Sequence, residues 1–199
     1  MLFRSLALPS TMSIAPSWQA DNIVDSCLDE LLDVLKEKNY NIIVRPHPQH
    51  VRHRKEYMES LKEKYKSYSN IEIQTDFSSS NTVMESDLVI TDWSSIAYEF
   101  AFTTKRPVLF INTPIKIMNP KYKRIDTVPI NIWMRDRIGA SLETDELEKA
   151  GDKVDELING SEEYRRIITD FVNEYVYNLG RSAEIGGKYI MESLMNRKK

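Results

Sequence analysis

Between Thr11 and Ile111 short apolar runs alternate with segments of helical period, the signature of repeated strand-helix-strand units and a parallel sheet. Met12-Ser13-Ile14-Ala15 reads as the first strand, stopped by Pro16. Ile23, Val24, Cys27, Leu28, Leu31, Leu32 and Leu35 then recur at three- and four-residue spacing, which predicts one helix from about Asn22, with Asp21 as its cap and Lys36 and Lys38 at its negative end. Asn41-Ile42-Ile43-Val44 is a second strand, a polar helix runs from about Val51 to Tyr65, and Ile71-Glu72-Ile73 is a third strand. Asn81 to Glu85 reads as a helical turn. Asp87-Leu88-Val89-Ile90-Thr91 is the clearest buried strand, a helix opens at Ser94 or Ser95 and runs to about Thr103, and Pro107-Val108-Leu109-Phe110-Ile111 supplies a fifth strand.

Beyond Asn112 the pattern changes. Thr113 to Ile138 carries Pro114, Pro120 and Pro129 among scattered Lys and Arg, and so long a loop inside a compact domain reads as an ordered functional one. Ile138-Gly139-Ala140-Ser141 suggests a short last strand. Helices follow over Thr144–Ile158, Ser161–Tyr177 and Ser182–Leu194, with Gly160 and Gly180 where helix stops belong.

The 199 residues allow one generous domain, and 41% hydrophobic residues give it a real core. Residues 12–199 are read as this Rossmann-like domain with C-terminal helices, and residues 1–11 as a linker or cloning remnant. A formal charge of −3 lacks the basic excess that holds proteins on nucleic acid, so no nucleic-acid partner is expected. The single cysteine, Cys27, forms no intramolecular disulfide and fits a reducing compartment, the cytoplasm. No run approaches the ~18 apolar residues of a membrane span, and the opening Met1 to Pro9 is too short for the apolar region of a signal peptide.

In a doubly wound sheet the ligand lies beyond the carboxyl ends of the strands, where strand order reverses. With the order 3-2-1-4-5, the loops Pro16-Ser17-Trp18-Gln19 and Asp92-Trp93-Ser94-Ser95 face each other across that crevice, and Arg45-Pro46-His47-Pro48 opens on the same edge. Ser94 and Ser95 read as a helix cap whose hydroxyls and N–H groups also suit a phosphate. Asp92 closes a turn or meets a ribose hydroxyl; as an anion it would repel phosphate. His47, held extended between prolines, suits charge stabilisation or proton transfer beside Arg45. His50 and His53 follow at three-residue intervals, but the Cys or carboxylate complement of a metal site is missing nearby, so no metal is expected and both read as solvated surface. Trp18 and Trp93 either stack on a base or pack the domain, packing being the commoner case. Arg135-Asp136-Arg137 offers Arg135 as a further donor contact, with a surface ion pair as the alternative.

Ala15-Pro16-Ser17-Trp18, Val44-Arg45-Pro46-His47-Pro48, and above all Ser86 to Phe100 (SDLVITDWSSIAYEF) followed by Arg106-Pro107-Val108-Leu109-Phe110, resemble the CDP-glycerol glycerophosphotransferase family of teichoic-acid and capsule polymerases. Leu179-Gly180-Arg181-Ser182-Ala183 resembles a segment near that family's end, so the resemblance runs from about Ser13 to Leu194. It implies the C-terminal half of a GT-B fold, which binds the nucleotide-linked donor, with the acceptor-side histidine in an N-terminal half that has no counterpart here. It further implies that His47 contacts the donor phosphates, that Ser94 and Ser95 with their backbone N–H groups hold the pyrophosphate, that Glu99 lies near the ribose, and that Arg45 neutralises phosphate, with Ser17 a further donor-binding candidate. The family often has Tyr at the position of Trp93 and Asp at that of Glu99.

The implied reaction is attack of an acceptor hydroxyl on the distal phosphorus of CDP-glycerol, with CMP leaving and no cofactor. The implied acceptor is a polymer or lipid-linked chain, which places the protein peripherally on the inner membrane face; Lys116, Lys121, Lys123 and Arg124 are candidates to meet anionic lipid. The competing readings are a nucleotide-sugar glycosyltransferase or GT-B-like epimerase half, and a stand-alone nucleotide-binding module.

Overall fold

The computed structural model describes residues 9–77, 81–115, 117 and 119–196. Residues 1–8 of the expected linker, and Lys116 of the basic loop, lie outside the described residues. Six parallel strands, β1 (Thr11–Ile14), β2 (Asn41–Val44), β3 (Ile71–Ile73), β4 (Leu88–Thr91), β5 (Val108–Asn112) and β6 (Gly139–Glu143), form one sheet in the order β3-β2-β1-β4-β5-β6. The order reverses between β1 and β4, as the strand pattern predicts, and β6 extends it by one strand. Register is set by β1 lying between two partners: Ile14 faces Val44 on one side and Ile90 on the other.

The central strands β1, β4 and β5 are buried on both faces almost throughout, which explains their apolar composition. Alternate residues feed two cores. Leu88, Ile90, Leu109 and Ile111 pack with Leu28, Leu31, Leu32 and Leu35 on one face, and Val89, Val108 and Phe110 with Phe100, Ile168 and Phe171 on the other. The first face is covered by α1 (Ile23–Ser26), α2 (Leu28–Leu35), α3 (Pro48–His53), α4 (Lys55–Tyr65) and, late in the chain, α9 (Ala150–Asn159). The second carries α5 (Asn81–Glu85), α6 (Ile96–Thr104), α7 (Ile130–Trp133), α8 (Arg135–Ile138) and α10 (Ser161–Tyr175). A left-handed turn at Asn178 and Gly180 separates α10 from α11 (Ser182–Asn196), which buries no residue.

Three local expectations are corrected. The first predicted helix is two, because Cys27 leaves the helical region (φ −150°) after one turn. Its cap is Asn22, whose side chain accepts from the Val24 N–H at 2.8 Å, while Asp21 is left-handed at φ 56°. The predicted helix from Val51 starts three residues earlier, with Pro48 in its first turn, and breaks at Arg54 (φ −133°). Lys36 does stand at the end of α2, but Lys38 reaches across to Asp155 of α9 at 2.8 Å.

Candidate functional site

The carboxyl ends of β1, β2 and β4 open into a crevice of about 440 Å³. Its walls include Pro16 after β1, Arg45 and His47 after β2, and Ser94, Ser95 and Glu99 at the start of α6. Arg45, His47, Ser94, Ser95 and Glu99 are therefore brought together as their positions in the sequence predict. Ser17, Asp92 and Arg135 are set behind these walls.

His47 is the N-cap of α3, and its Nδ1 accepts from the Gln49 N–H at 3.2 Å. That nitrogen carries the lone pair, so the proton of the neutral ring sits on Nε2, at the opposite side of the imidazole. Arg45 is half-buried, donates to Gln74 Oε1 at 2.7 Å and lies 5.2 Å from the Phe77 ring centroid. A planar guanidinium gripped this way keeps its orientation while remaining charged.

The helix opposite begins with its own anion-binding geometry. Ser94 Oγ accepts from the Ile96 N–H at 3.4 Å, and no described residue accepts from the N–H groups of Ser94 and Ser95. These donors sit at the positive end of a nine-residue helix. Ser95 Oγ donates to Glu99 Oε1 at 3.3 Å, holding an exposed carboxylate one turn along the same rim.

Behind the rim, Asp92 is wholly buried. Its carboxylate accepts from Ser17 N–H at 2.8 Å, Trp93 N–H at 2.7 Å and Ile23 N–H at 3.2 Å, which binds the first and fourth loops into one unit. Spent in this way it positions backbone; a ribose hydroxyl would need to displace one of these bonds. Arg135 is equally internal. Its guanidinium lies 4.0 Å from the Trp93 ring and 4.3 Å from Phe110, and it donates to the Asp92 carbonyl at 2.9 Å and to Asn112 Oδ1 at 2.7 Å. Burial lowers its pKa, against the pull of several surrounding acids and Tyr98. It supplies positive charge to the back of the Asp92–Ser94 loop. Ser17 is buried too, with no partner for its hydroxyl among the described residues.

Trp93 donates from Nε1 to the Thr113 carbonyl at 2.8 Å and has one face under Arg135, so it packs the domain. Trp18 meets His50 edge-on at 4.7 Å. His50 corrects the surface reading: it is fully buried, because α3 begins at Pro48 and turns it inward one turn after His47. Among the described residues no cluster of three His, Cys, Asp or Glu is arranged to hold a metal ion.

Sequence reasoning missed two features. Phe77, Val83 and Met84 form an apolar end of the crevice, and nothing in their local pattern distinguishes them from core. The long loop after β5 encloses a larger cavity of about 630 Å³, walled by Trp93, Ile115, Ile125, Val128 and Ile132. It has greater volume but lacks the Arg45, His47, Ser94 and Ser95 set that lines the smaller crevice.

The fold recurs in solved structures. The spinosyn rhamnosyltransferase SpnG aligns with a TM-score of 0.52 at 13% identity, over 82% of this chain and 42% of that one. The catalytic domain of starch synthase IV from Arabidopsis thaliana, solved with ADP and acarbose, gives 0.51 at 14% identity over 98% of this chain and 40% of that one. MurG of Acinetobacter baumannii gives 0.50 at 16% identity, over 83% and 46%. These are GT-B glycosyltransferases, and the chain has the architecture of one half of that fold. It spans less than half the length of each. No curated protein matches the chain. Residues 11–185, which hold every strand and every residue of the crevice, match the family described as CDP-glycerol:poly(glycerophosphate) glycerophosphotransferase, and the chain belongs to it.

Proposed function

We propose that this chain is the donor-binding half of a transferase that moves glycerol phosphate from CDP-glycerol to a polymer acceptor. The observation that carries the reading is the convergence of Arg45, His47 and the N-terminus of α6, with Ser94 and Ser95, on one crevice at the strand-order reversal. A pyrophosphate laid there meets a guanidinium, an imidazole N–H and two backbone N–H groups without any metal. Such donors act where charge develops on the leaving phosphate, the usual dominant contribution in phosphoryl transfer.

In this mechanism an acceptor hydroxyl, presented by a second domain, attacks the distal phosphorus. The bond to the bridging oxygen breaks and CMP departs. Nε2–H of His47 hydrogen-bonds the phosphate oxygens as charge shifts toward them, and Arg45 neutralises the same group. Glu99, fixed by Ser95, accepts from ribose hydroxyls. Asp92 and Arg135 contribute from behind, by holding the loop that carries Ser94. Peripheral attachment to the inner membrane face completes the reading: Lys121, Lys123 and Arg124 stand among the exposed Ile117, Ile125 and Val128 on the loop after β5.

Isothermal titration with CDP-glycerol tests donor binding directly. His47→Ala is expected to weaken it about tenfold or more, since removing a charge-assisted phosphate contact costs about 1.5–3 kcal/mol, while the protein stays folded with the loss of about 1 kcal/mol that goes with its cap on α3. Equal affinity in the two proteins refutes the role of His47. The likeness to sugar transferases supports one rival, transfer of a glycosyl group. With an N-terminal half supplied, phosphorus NMR separates them: CMP as product marks glycerophosphate transfer, and a nucleoside diphosphate marks glycosyl transfer.

A further inference from the structure

The walls of the crevice come from separate segments, and the groups that fix their separation lie behind them. The loop after β1 meets α3 through His50, which has no exposed surface. Its Nε2 is 3.1 Å from Nδ2 of Asn22. Asn22 Oδ1 accepts from Val24, so the amide is oriented with its NH₂ toward the imidazole. Nε2 of His50 is then the acceptor and Nδ1 carries the ring proton. The two amide hydrogens of Asn22 are shared with the Gln19 carbonyl at 2.7 Å and Asp25 Oδ2 at 2.6 Å. Asp25 is in turn ion-paired with Arg54, just past the end of α3. The backbone N–H of His50 donates to the His47 carbonyl at 2.8 Å, so both histidines belong to the same turn.

We propose that His50 is a positioning residue of the donor crevice: its buried imidazole, bonded to Asn22 and packed on Trp18, holds the first loop against the helix that presents His47. This rests on the donor-binding reading given above. The bland alternative is a histidine that merely fills space. It differs in one respect, because an acceptor that becomes a donor on protonation changes partner, whereas a filler does not.

The groups facing His50 are Asp25 from α1, Arg54 after α3, His47 and His53 across the shared Trp18, and Asp92 from the loop after β4. Burial pushes His50 below the usual histidine range, and Asp92 pulls the other way. At neutral pH the ring is uncharged and accepts from Asn22. A proton on Nε2 sets donor against donor there and draws the ring toward Asp25 Oδ2, 3.6 Å away, in competition with Arg54. The folded-state value is depressed, so this stabilisation is complete above the unfolded histidine value of about 6.5 and is lost as pH falls through the lower folded value.

The test is titration with CDP-glycerol, whose phosphates keep one charge state across the range, at about pH 7.5 and at the lowest pH at which all the proteins stay folded. Wild type, His50→Gln and His50→Ala are compared. Gln keeps an acceptor for Asn22 but does not titrate. His50→Gln is expected within about twofold of wild type at the higher pH, and on acidification wild type is expected to lose about fivefold in affinity relative to His50→Gln. His50→Ala is expected to bind weakly at both values; if it does not fold, the Gln comparison carries the test. His47 is common to all three, so the result is read as the ratio of wild type to variant at each pH. Tryptophan emission supplies a ligand-free readout, because an imidazolium against Trp18 quenches it: emission is expected to fall on acidification in wild type more than in His50→Gln. Parallel pH profiles in wild type and His50→Gln overturn the proposal. If wild type does not bind CDP-glycerol at either pH, the donor reading falls, and the emission comparison alone then decides for or against the His50 coupling.

Discussion

The two carboxylate oxygens of Asp92 accept from the N–H groups of Ser17, Trp93 and Ile23, and its carbonyl accepts from Arg135. Removing the side chain leaves three internal donors unsatisfied, so Asp92→Ala is expected to destabilise the fold by about 3–5 kcal/mol in a urea melt. Asp92→Asn is a sharper probe. Its Oδ1 can still serve Ser17 and Trp93, but its NH₂ faces the Ile23 N–H, donor against donor, and a loss of about 2 kcal/mol is expected. A melt unchanged by Asp92→Asn would mean the Ile23 bond contributes nothing. The residue type was legible in the sequence as a turn-closing or ligand-facing acid, and the choice between them was not. A carboxylate at a strand's carboxyl end reads the same whether it points at a substrate or back at its own loop. His50 failed for a related reason. The signal was present, since Pro48 favours the first turn of a helix, and starting the helix there places His50 one turn inside it.

At the level of elements, hydrophobic period located all six strands to within a residue or two, because strands buried on both faces leave long apolar runs. Helix breaks escaped it. The interruptions at Cys27 and Arg54 are backbone excursions, φ −150° and −133°, at residues that fit the helical pattern on either side. Motif and element also diverge at Arg106. It stands in the family-like run before β5, yet its guanidinium donates to the Ser86 carbonyl at 2.6 Å, at the amino ends of the strands and away from the crevice. The edge strand β6 has a demand of its own. Gly139 pairs with Val108, and a Cβ built on Gly139 would overlap the Val108 carbonyl oxygen. Gly139→Ala must therefore push β6 away from β5, with an expected loss of about 2–3 kcal/mol and faster exchange of the β6 amides by NMR. Retention of wild-type stability would show that β6 shifts without cost.

Taken whole, the domain places its polar crevice and a set of exposed apolar side chains on neighbouring loops. Trp93 belongs to both: it follows Asp92 at the crevice and also walls the cavity under the loop after β5. No helix among the described residues is long and apolar enough to cross a membrane. Attachment from one side is the arrangement that the exposed Ile125 and Val128, at 62% and 58%, and the cations beside them would serve. Cosedimentation with vesicles checks this. Binding is expected with phosphatidylglycerol and not with phosphatidylcholine, weakened by salt and reduced about tenfold by Ile125→Glu, the scale of losing one inserted apolar side chain. Equal pelleting with both lipids, or an Ile125→Glu protein that binds as wild type does, would remove the membrane from the reading.

The Asp92 unit also says when in folding this crevice comes into being. Its bonds join residues 75 and 69 positions apart in the chain, and Arg135 closes a further loop of 43. The bonds to Ser17 and Ile23 need the loops after β1 and β4 side by side, so they must first meet the entropy of closing the long segment between them. A chain with its separate helices and strands in place but β1 and β4 unpaired lacks the Asp92 unit, so the back wall of the crevice and the strand-order reversal arrive together.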